Sequence, residues 1–402
     1  MARRDPCRSR TARLTRGELH FPMPLPASAV LSARHARLRE ALAALGLDAL
    51  IVTSAQNIRY LTNHAGSAGI LVATRAAMHL VIDFRYEEAT RALQDSPSAC
   101  PALTLWRVPA SYEEALIAAL AELGVSAVGF EAGNVTVARH AWWRDTIASR
   151  TLALELRSTD GIIERARMVK DAAEIVALRE AARRLTTVAA SVIPAIRVGM
   201  SERELAGVLE GHMREAGYDR LAFDTIVASG PNSALPHYRA GDRRLATGDL
   251  LVLDFGGVLD GYCCDLTRTV SIGPPSPEAR RVYGAVLEAQ LAAIAAARPG
   301  TSASDVDAAA RNVLVSHGLG EAFGHGTGHG LGLDVHEEPR ITRPRPDAAA
   351  VPLAAGMVFT VEPGAYLAGW GGVRIEDDVL VTETGCEVLT DVPKELLATG
   401  TH

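Results

Sequence analysis

Residues 251–257 read LVLDFGG and residues 262–272 read YCCDLTRTVSI. In an extended chain successive side chains point to opposite faces. The second stretch therefore sorts by parity, with Asp265, Thr267, Thr269 and Ser271 on one side and Tyr262, Leu266, Val270 and Ile272 on the other. Two later stretches repeat the design. In VRIEDDVLV (373–381), Arg374, Glu376 and Asp378 share a face opposite Val373, Ile375 and Val379; in MVFTVEPG (357–364), Thr360 and Glu362 share one. These patterns predict half-buried strands with each acid on the polar face. One acid on a strand is ordinarily a solvated residue. Several amid β-branched neighbours are costly to bury unless they are paired or hold a metal.

Between these strands lies GHGTGHGLG (324–332), followed by DVHEEP (334–339). Three of the twelve histidines, His325, His329 and His336, fall within this short region, interleaved with glycines that permit close backbone approach. Spacing alone does not decide which histidine binds metal. Asp254, Asp265, Glu362, Glu376 and one imidazole are too many hard donors for one zinc, and suit two adjacent divalent ions sharing carboxylates. The expected chemistry is hydrolysis by a metal-activated water.

The rest of the chain bounds this reading. At 402 residues it has the length of two domains, and 48% hydrophobic with 22% charged residues is a globular composition. A net charge of −6 gives no reason to expect nucleic acid or a membrane surface as partner. Five scattered cysteines make neither a disulfide framework nor a zinc pattern, which points to a reducing cytoplasm. Residues 1–30 read as a disordered extension or a mis-started reading frame, with six arginines and no apolar stretch of the signal-peptide kind. Residues 31–155 read as a small α/β domain. It opens with an amphipathic helix over 32–46 ending at Gly46, continues through the strands DALIVTS, GILVAT and MHLVIDF, and adds a helix opened by a capping box at Ser111 and Glu114. No G-x-G-x-x-G follows a strand there, so a dinucleotide site is not expected. One or two helices are predicted over 162–194, another after the Ser201/Glu204 capping box, and two more near 277–297 and 302–317.

The set LDFGG, CDLTRT, HGTGHGLGLDVHE, VEPG and RIEDD resembles the signature of the pita-bread metallopeptidases: aminopeptidase P, prolidase, methionyl aminopeptidase and the metal-free creatinase. The pattern spans residues 160–393, and the preceding domain resembles the creatinase-type N-terminal domain. The implied fold is an α/β creatinase-like domain followed by an α+β pita-bread catalytic domain. The resemblance implies that Asp254 chelates one metal, that His329 and Glu362 bind the other, and that Asp265 and Glu376 bridge both. It places His237 and His336 at the substrate, Arg374 behind Glu376, His325 as a further active-site histidine, and Glu362 as general base. Two divalent ions per subunit are implied, with an oxygen-rich set favouring Mn2+ over Co2+, Fe2+ or Zn2+. The implied substrate is a peptide with proline at the second position, and the implied assembly a homodimer. Among activities, an Xaa-Pro aminopeptidase is slightly preferred. The alternatives are an Xaa-Pro dipeptidase (prolidase), a non-proline hydrolase, or a binding protein that has lost catalysis.

Overall fold

The computed structural model describes residues 25–344 and 350–400. The N-terminal unit runs α1 (Ser28–Ala44), β1 (Ala49–Val52), α2 (Ala55–Thr62), β2 (Ile70–Thr74), β3 (Met78–Ile82), α3 (Phe84–Gln94), β4 (Leu103–Arg107), α4 (Tyr112–Leu123), β5 (Ala127–Glu131), α5 (Val137–Ser149) and β6 (Glu155–Thr159). Its six strands form one sheet in the order β4-β3-β2-β1-β5-β6. β2 is antiparallel to β1 and β3, while β3/β4, β1/β5 and β5/β6 are parallel.

Three expectations shift at the edges of this unit. Residues 1–24 of the expected extension lie outside the described residues, but Ser28–Val30 belong to α1, which begins two positions after Pro26 without a side-chain cap. The expected limit at 155 falls on the first residue of β6, which pairs with β5 through Thr159. At α4 only half of the capping box forms. Ser111 accepts from the Glu114 amide, while the Glu114 carboxylate pairs with Arg150. The helix α1 does end as expected, with Gly46 in the left-handed region (φ 62°).

The C-terminal unit begins with α6 (Ile162–Met168), α7 (Ala172–Val192) and α8 (Glu202–Glu215), the last two opened by complete capping boxes at Asp171/Glu174 and Ser201/Glu204. Strands β7 (Arg220–Leu221), β8 (Ile226–Ser229), β9 (Leu250–Leu259) and β10 (Tyr262–Ile272) follow, then helices α9 (Pro277–Ala296) and α10 (Ala303–Ser316). The remaining strands are β11 (Gly328–Gly330), β12 (Glu337–Ile341), β13 (Val358–Val361), β14 (Gly364–Leu367), β15 (Gly371–Arg374), β16 (Asp377–Val381), β17 (Cys386–Val388) and β18 (Ala398–Thr399).

One sheet has the order β18-β10-β9-β7, with β8 also on β9; another has the order β12-β11-β13-β16-β17, and β14-β15 is a separate ribbon. The apolar parity of β9 and β10 (Leu253, Phe255, Leu266, Val270) packs with Leu185, Val188 and Leu209 of α7 and α8. The apolar parity of the second sheet (Phe359, Val361, Val379) packs with Val282, Val286 and Val306 of α9 and α10. The two polar faces thus turn toward each other, and Thr267 donates to Glu376 across the gap at 2.6 Å. This corrects the half-buried expectation: every residue of β9 and β10 is buried, because the polar face is roofed by the other sheet.

Candidate active site

A cleft of about 640 Å³ opens where the sheets meet, and His237, Asp254, Asp265, His325, His329, His336, Glu362, Arg374 and Glu376 all line it. Asp254 and Asp265 come from the β9–β10 hairpin, in which Asp254 is paired with Thr267 and Asp265 with Gly256. His329 comes from β11, wedged between β12 and β13. The glycines beside it make that wedge fit. A Cβ on Gly328 would lie 1.8 Å from the Thr360 carbonyl oxygen, and one on Gly330 would lie 2.2 Å from that of Glu338.

His329 is oriented at both ends. Its backbone N–H donates to Thr360 Oγ1 (3.1 Å), and its Nδ1 lies 3.1 Å from the Gly330 carbonyl, where it can only donate. Nε2 is left as a lone pair facing Glu362 Oε1 at 3.5 Å and Asp265 Oδ2 at 4.0 Å. Burial, reinforced by His336 and Arg340, pushes the His329 pKa down to about 3, so the imidazole stays neutral. Burial in turn pushes the Asp265 and Glu376 carboxyls well above the ordinary range, with Glu376 raising Asp265 and Glu362 raising Glu376. Glu362 is pushed up to about 8, mainly by burial, with Arg374 opposing the shift. Asp254 Oδ1, Asp265 Oδ1 and Glu376 Oε1 are buried without a hydrogen-bond partner among the described residues. Ligand atoms of Asp265, His329 and Glu376 all lie within 4.8 Å of one another. A neutral imidazole lone pair converging with unpartnered carboxylate oxygens is mutually repulsive unless a cation sits among them. The donor set therefore fits hard divalent ions.

Arg374 ties the cluster together. Its Nη2 donates to Asp254 Oδ2 (2.5 Å), its Nε to Thr267 Oγ1 (3.1 Å), and its Nη1 to the Tyr366 hydroxyl (2.8 Å) and the Pro236 carbonyl (3.3 Å). The sequence reading missed Tyr366, Thr267 as a holder of Glu376, and Asp378, whose Oδ2 accepts from the Asp265 amide at 3.0 Å. Thr267 and Asp378 could have been found, since they share the acid-bearing parities. Tyr366 carries no such signal. His325 reaches the cleft, but its Nδ1 is held by the Gly326 carbonyl (2.8 Å) and its Nε2 accepts from Tyr366 (3.0 Å). Burial pushes its pKa down to about 4, so it orders Tyr366 rather than offering a free nitrogen. His336 is exposed at the cleft, its ring 4.3 Å from that of His329, with a pKa lowered chiefly by partial desolvation. His317 lies apart, as the C-cap of α10 against Glu288.

Fold and site together define a metal-dependent hydrolase built on two facing sheets. The chain belongs to metallopeptidase family M24, which it matches over residues 176–383, and residues 34–169 match the creatinase/prolidase N-terminal domain. It is similar to an Xaa-Pro dipeptidase from Pyrococcus horikoshii, with 34% identity over 87% of this chain and 95% of that protein. Among solved structures, the Xaa-Pro dipeptidase from Bacillus anthracis has a TM-score of 0.85 at 36% identity, covering 92% of this chain and 99% of that one. The X-Pro aminopeptidase from Thermotoga maritima has a TM-score of 0.79 at 34% identity, covering 90% and 99%. No helix among the described residues is long and apolar enough to cross a membrane.

Proposed function

We propose that this metallopeptidase hydrolyses the bond between an N-terminal residue and a following proline, with dipeptides as preferred substrates. The observation that carries the dipeptide preference is Arg340. It lines the cleft beside His336 and makes no ion pair among the described residues, so it offers a cation to a free C-terminal carboxylate. Arg239 lines the same cleft, loosely paired with Asp224 at 3.5 Å. The preference thus moves from the aminopeptidase to the dipeptidase reading, which is also the activity named for two of the three relatives above.

In this proposal Asp254, Asp265, His329, Glu362 and Glu376 would together hold two divalent ions. Bound there, the ions supply Lewis acidity and lower the pKa of a water toward neutrality. Glu362 would take a proton from that water and pass it to the leaving ring nitrogen of proline. His336 donates an N–H to the scissile carbonyl oxygen, and His237 contacts substrate at the cleft wall formed with Pro236. Arg374 holds Asp254 in its chelating orientation. Manganese as resident metal, a homodimer, a cytoplasmic location and a catalytic unit over 160–393 belong to the same proposal.

The test is mass spectrometry of Xaa-Pro, Xaa-Pro-Xaa and Met-Ala-Xaa peptides after incubation with manganese-loaded protein. Cleavage of the dipeptide alone supports the reading. Equal cleavage of the tripeptide makes the chain an aminopeptidase, and release of methionine alone overturns proline specificity.

A further inference from the structure

Arg167 is a buried guanidinium that the reaction above leaves unused. It lies on α6, the first helix after the N-terminal unit, and its side chain is 2% exposed. Its Nη1 donates to Asn57 Oδ1 on α2 at 2.7 Å. Its Nη2 donates to Asp334 Oδ2 and lies equally close, 2.8 Å, to Glu337 Oε2. Asn57 is itself locked, its amide donating to Glu131 (2.7 Å) and Glu164 (2.6 Å). A single cation therefore ties the N-terminal unit to two carboxylates that flank His336, two residues before it and one after.

The turn carrying His336 is held on its other sides as well. Lys170, one of only two lysines in the chain, donates to the Arg167 carbonyl at 2.8 Å and sits 3.8 Å from Glu337 Oε1. A Cβ at Gly332 would meet Glu337 Oε1 at 2.0 Å, so any side chain there would push that carboxylate aside. The Gly332 carbonyl accepts from the Cys263 amide at 2.7 Å, two residues before Asp265. Stability is a poor explanation for this cluster. Buried ion pairs are commonly matched or bettered by apolar residues of similar volume, and here Arg167 Nε has no hydrogen-bond partner among the described residues. What the cluster does supply is a fixed geometry for the turn.

We infer that Arg167 is a positioning residue for His336, transmitting the placement of the N-terminal unit to the cleft. This rests on the assignment of His336 to the substrate carbonyl made above.

The test is a double-mutant comparison in the full-length, manganese-loaded chain: Arg167→Lys with and without His336→Ala. Readouts are kcat and KM for an Xaa-Pro dipeptide, metal per chain, and amide hydrogen exchange across 331–336. Lysine keeps the charge but loses the fork. Arg167→Lys is expected to lower kcat by about 10-fold with metal content unchanged. It is expected to speed exchange in the turn and to add less than about 2-fold when His336 is already alanine. Asp334→Asn, at a carboxylate 42% exposed, leaves Arg167 paired with Glu337 and should show the same pattern at smaller size, so it serves if the lysine variant does not fold. Equal losses in both His336 backgrounds, or no loss in either variant, overturn the inference. Wild-type turnover by His336→Ala alone refutes the assignment of His336 and the inference with it. An impaired His336→Ala beside fully active Arg167→Lys and Asp334→Asn refutes the inference only.

Discussion

Thr267→Val is the substitution that probes the site's support most cleanly, because valine nearly copies the shape of threonine and removes only the hydroxyl. That hydroxyl accepts from Arg374 Nε at 3.1 Å and donates to Glu376 Oε2 at 2.6 Å, and Thr267 is fully buried. Hydrogen bonds to charged groups contribute about 1.5–3 kcal/mol each, and a buried group left without its partner incurs the full desolvation cost. Losing both bonds therefore costs roughly 3–6 kcal/mol, less whatever relaxation of Glu376 and Arg374 recovers. Part of this falls on folding and part on the ions that Glu376 is proposed to hold, for which loss of a supporting hydrogen bond lowers affinity by about 10–100-fold. Manganese titration by calorimetry and urea denaturation of the metal-free chain separate the two parts. Thr267→Ser, which keeps the hydroxyl, should recover most of both. Wild-type manganese affinity and stability in Thr267→Val would show that the hydroxyl bridge does not hold Glu376 in place.

Gly328→Ala should destabilise the chain by about 3 kcal/mol or more, or prevent folding, since its Cβ would lie 1.8 Å from the Thr360 carbonyl; a normal urea midpoint would contradict the close-packed wedge. Arg340→Leu should raise KM for Xaa-Pro dipeptides by about 10-fold or more while leaving tripeptide cleavage less affected, and an equal effect on both would remove the carboxylate role. His35 is buried and its pKa is lowered, mainly by burial, so in the window below its unfolded value near 6.5 the unfolded chain binds more protons. Its contribution is thus fully present above about pH 6.5 and is lost as pH falls. Denaturant midpoints at pH 7.5 and 5.5 should differ more in wild type than in His35→Gln, and identical differences would contradict this.

Strand parity carried most of the site. It put Asp265, Thr267, Glu376 and Asp378 on faces that the folded chain turns toward one cleft. It was wrong about exposure, because what covers β10 is a strand more than 100 residues further on, and parity reports a side without naming its neighbour. For the same reason Thr267 was legible as a face residue and not as the hydroxyl between Arg374 and Glu376. His325 could be located from its glycine-rich context, whereas the Tyr366 hydroxyl that occupies its Nε2 comes from a separate ribbon with no distinguishing pattern. In the N-terminal unit, α3 and α5 escaped the periodicity reading for a local reason. The first buries only Thr90 and the second only Trp143 and Ile147, too few apolar positions to mark a helical face. The glycines around His329 were legible as close approaches, though the carbonyls they approach belong to β12 and β13.

The central claim is that Asp254, Asp265, His329, Glu362 and Glu376 hold the divalent ions on which hydrolysis depends. Metal analysis of the manganese-loaded, desalted chain, run beside Asp265→Asn and Glu376→Gln, tests it most directly. The account predicts two ions per wild-type chain, and in either variant the loss of bound metal together with turnover. Full metal content and wild-type turnover in either variant would contradict it.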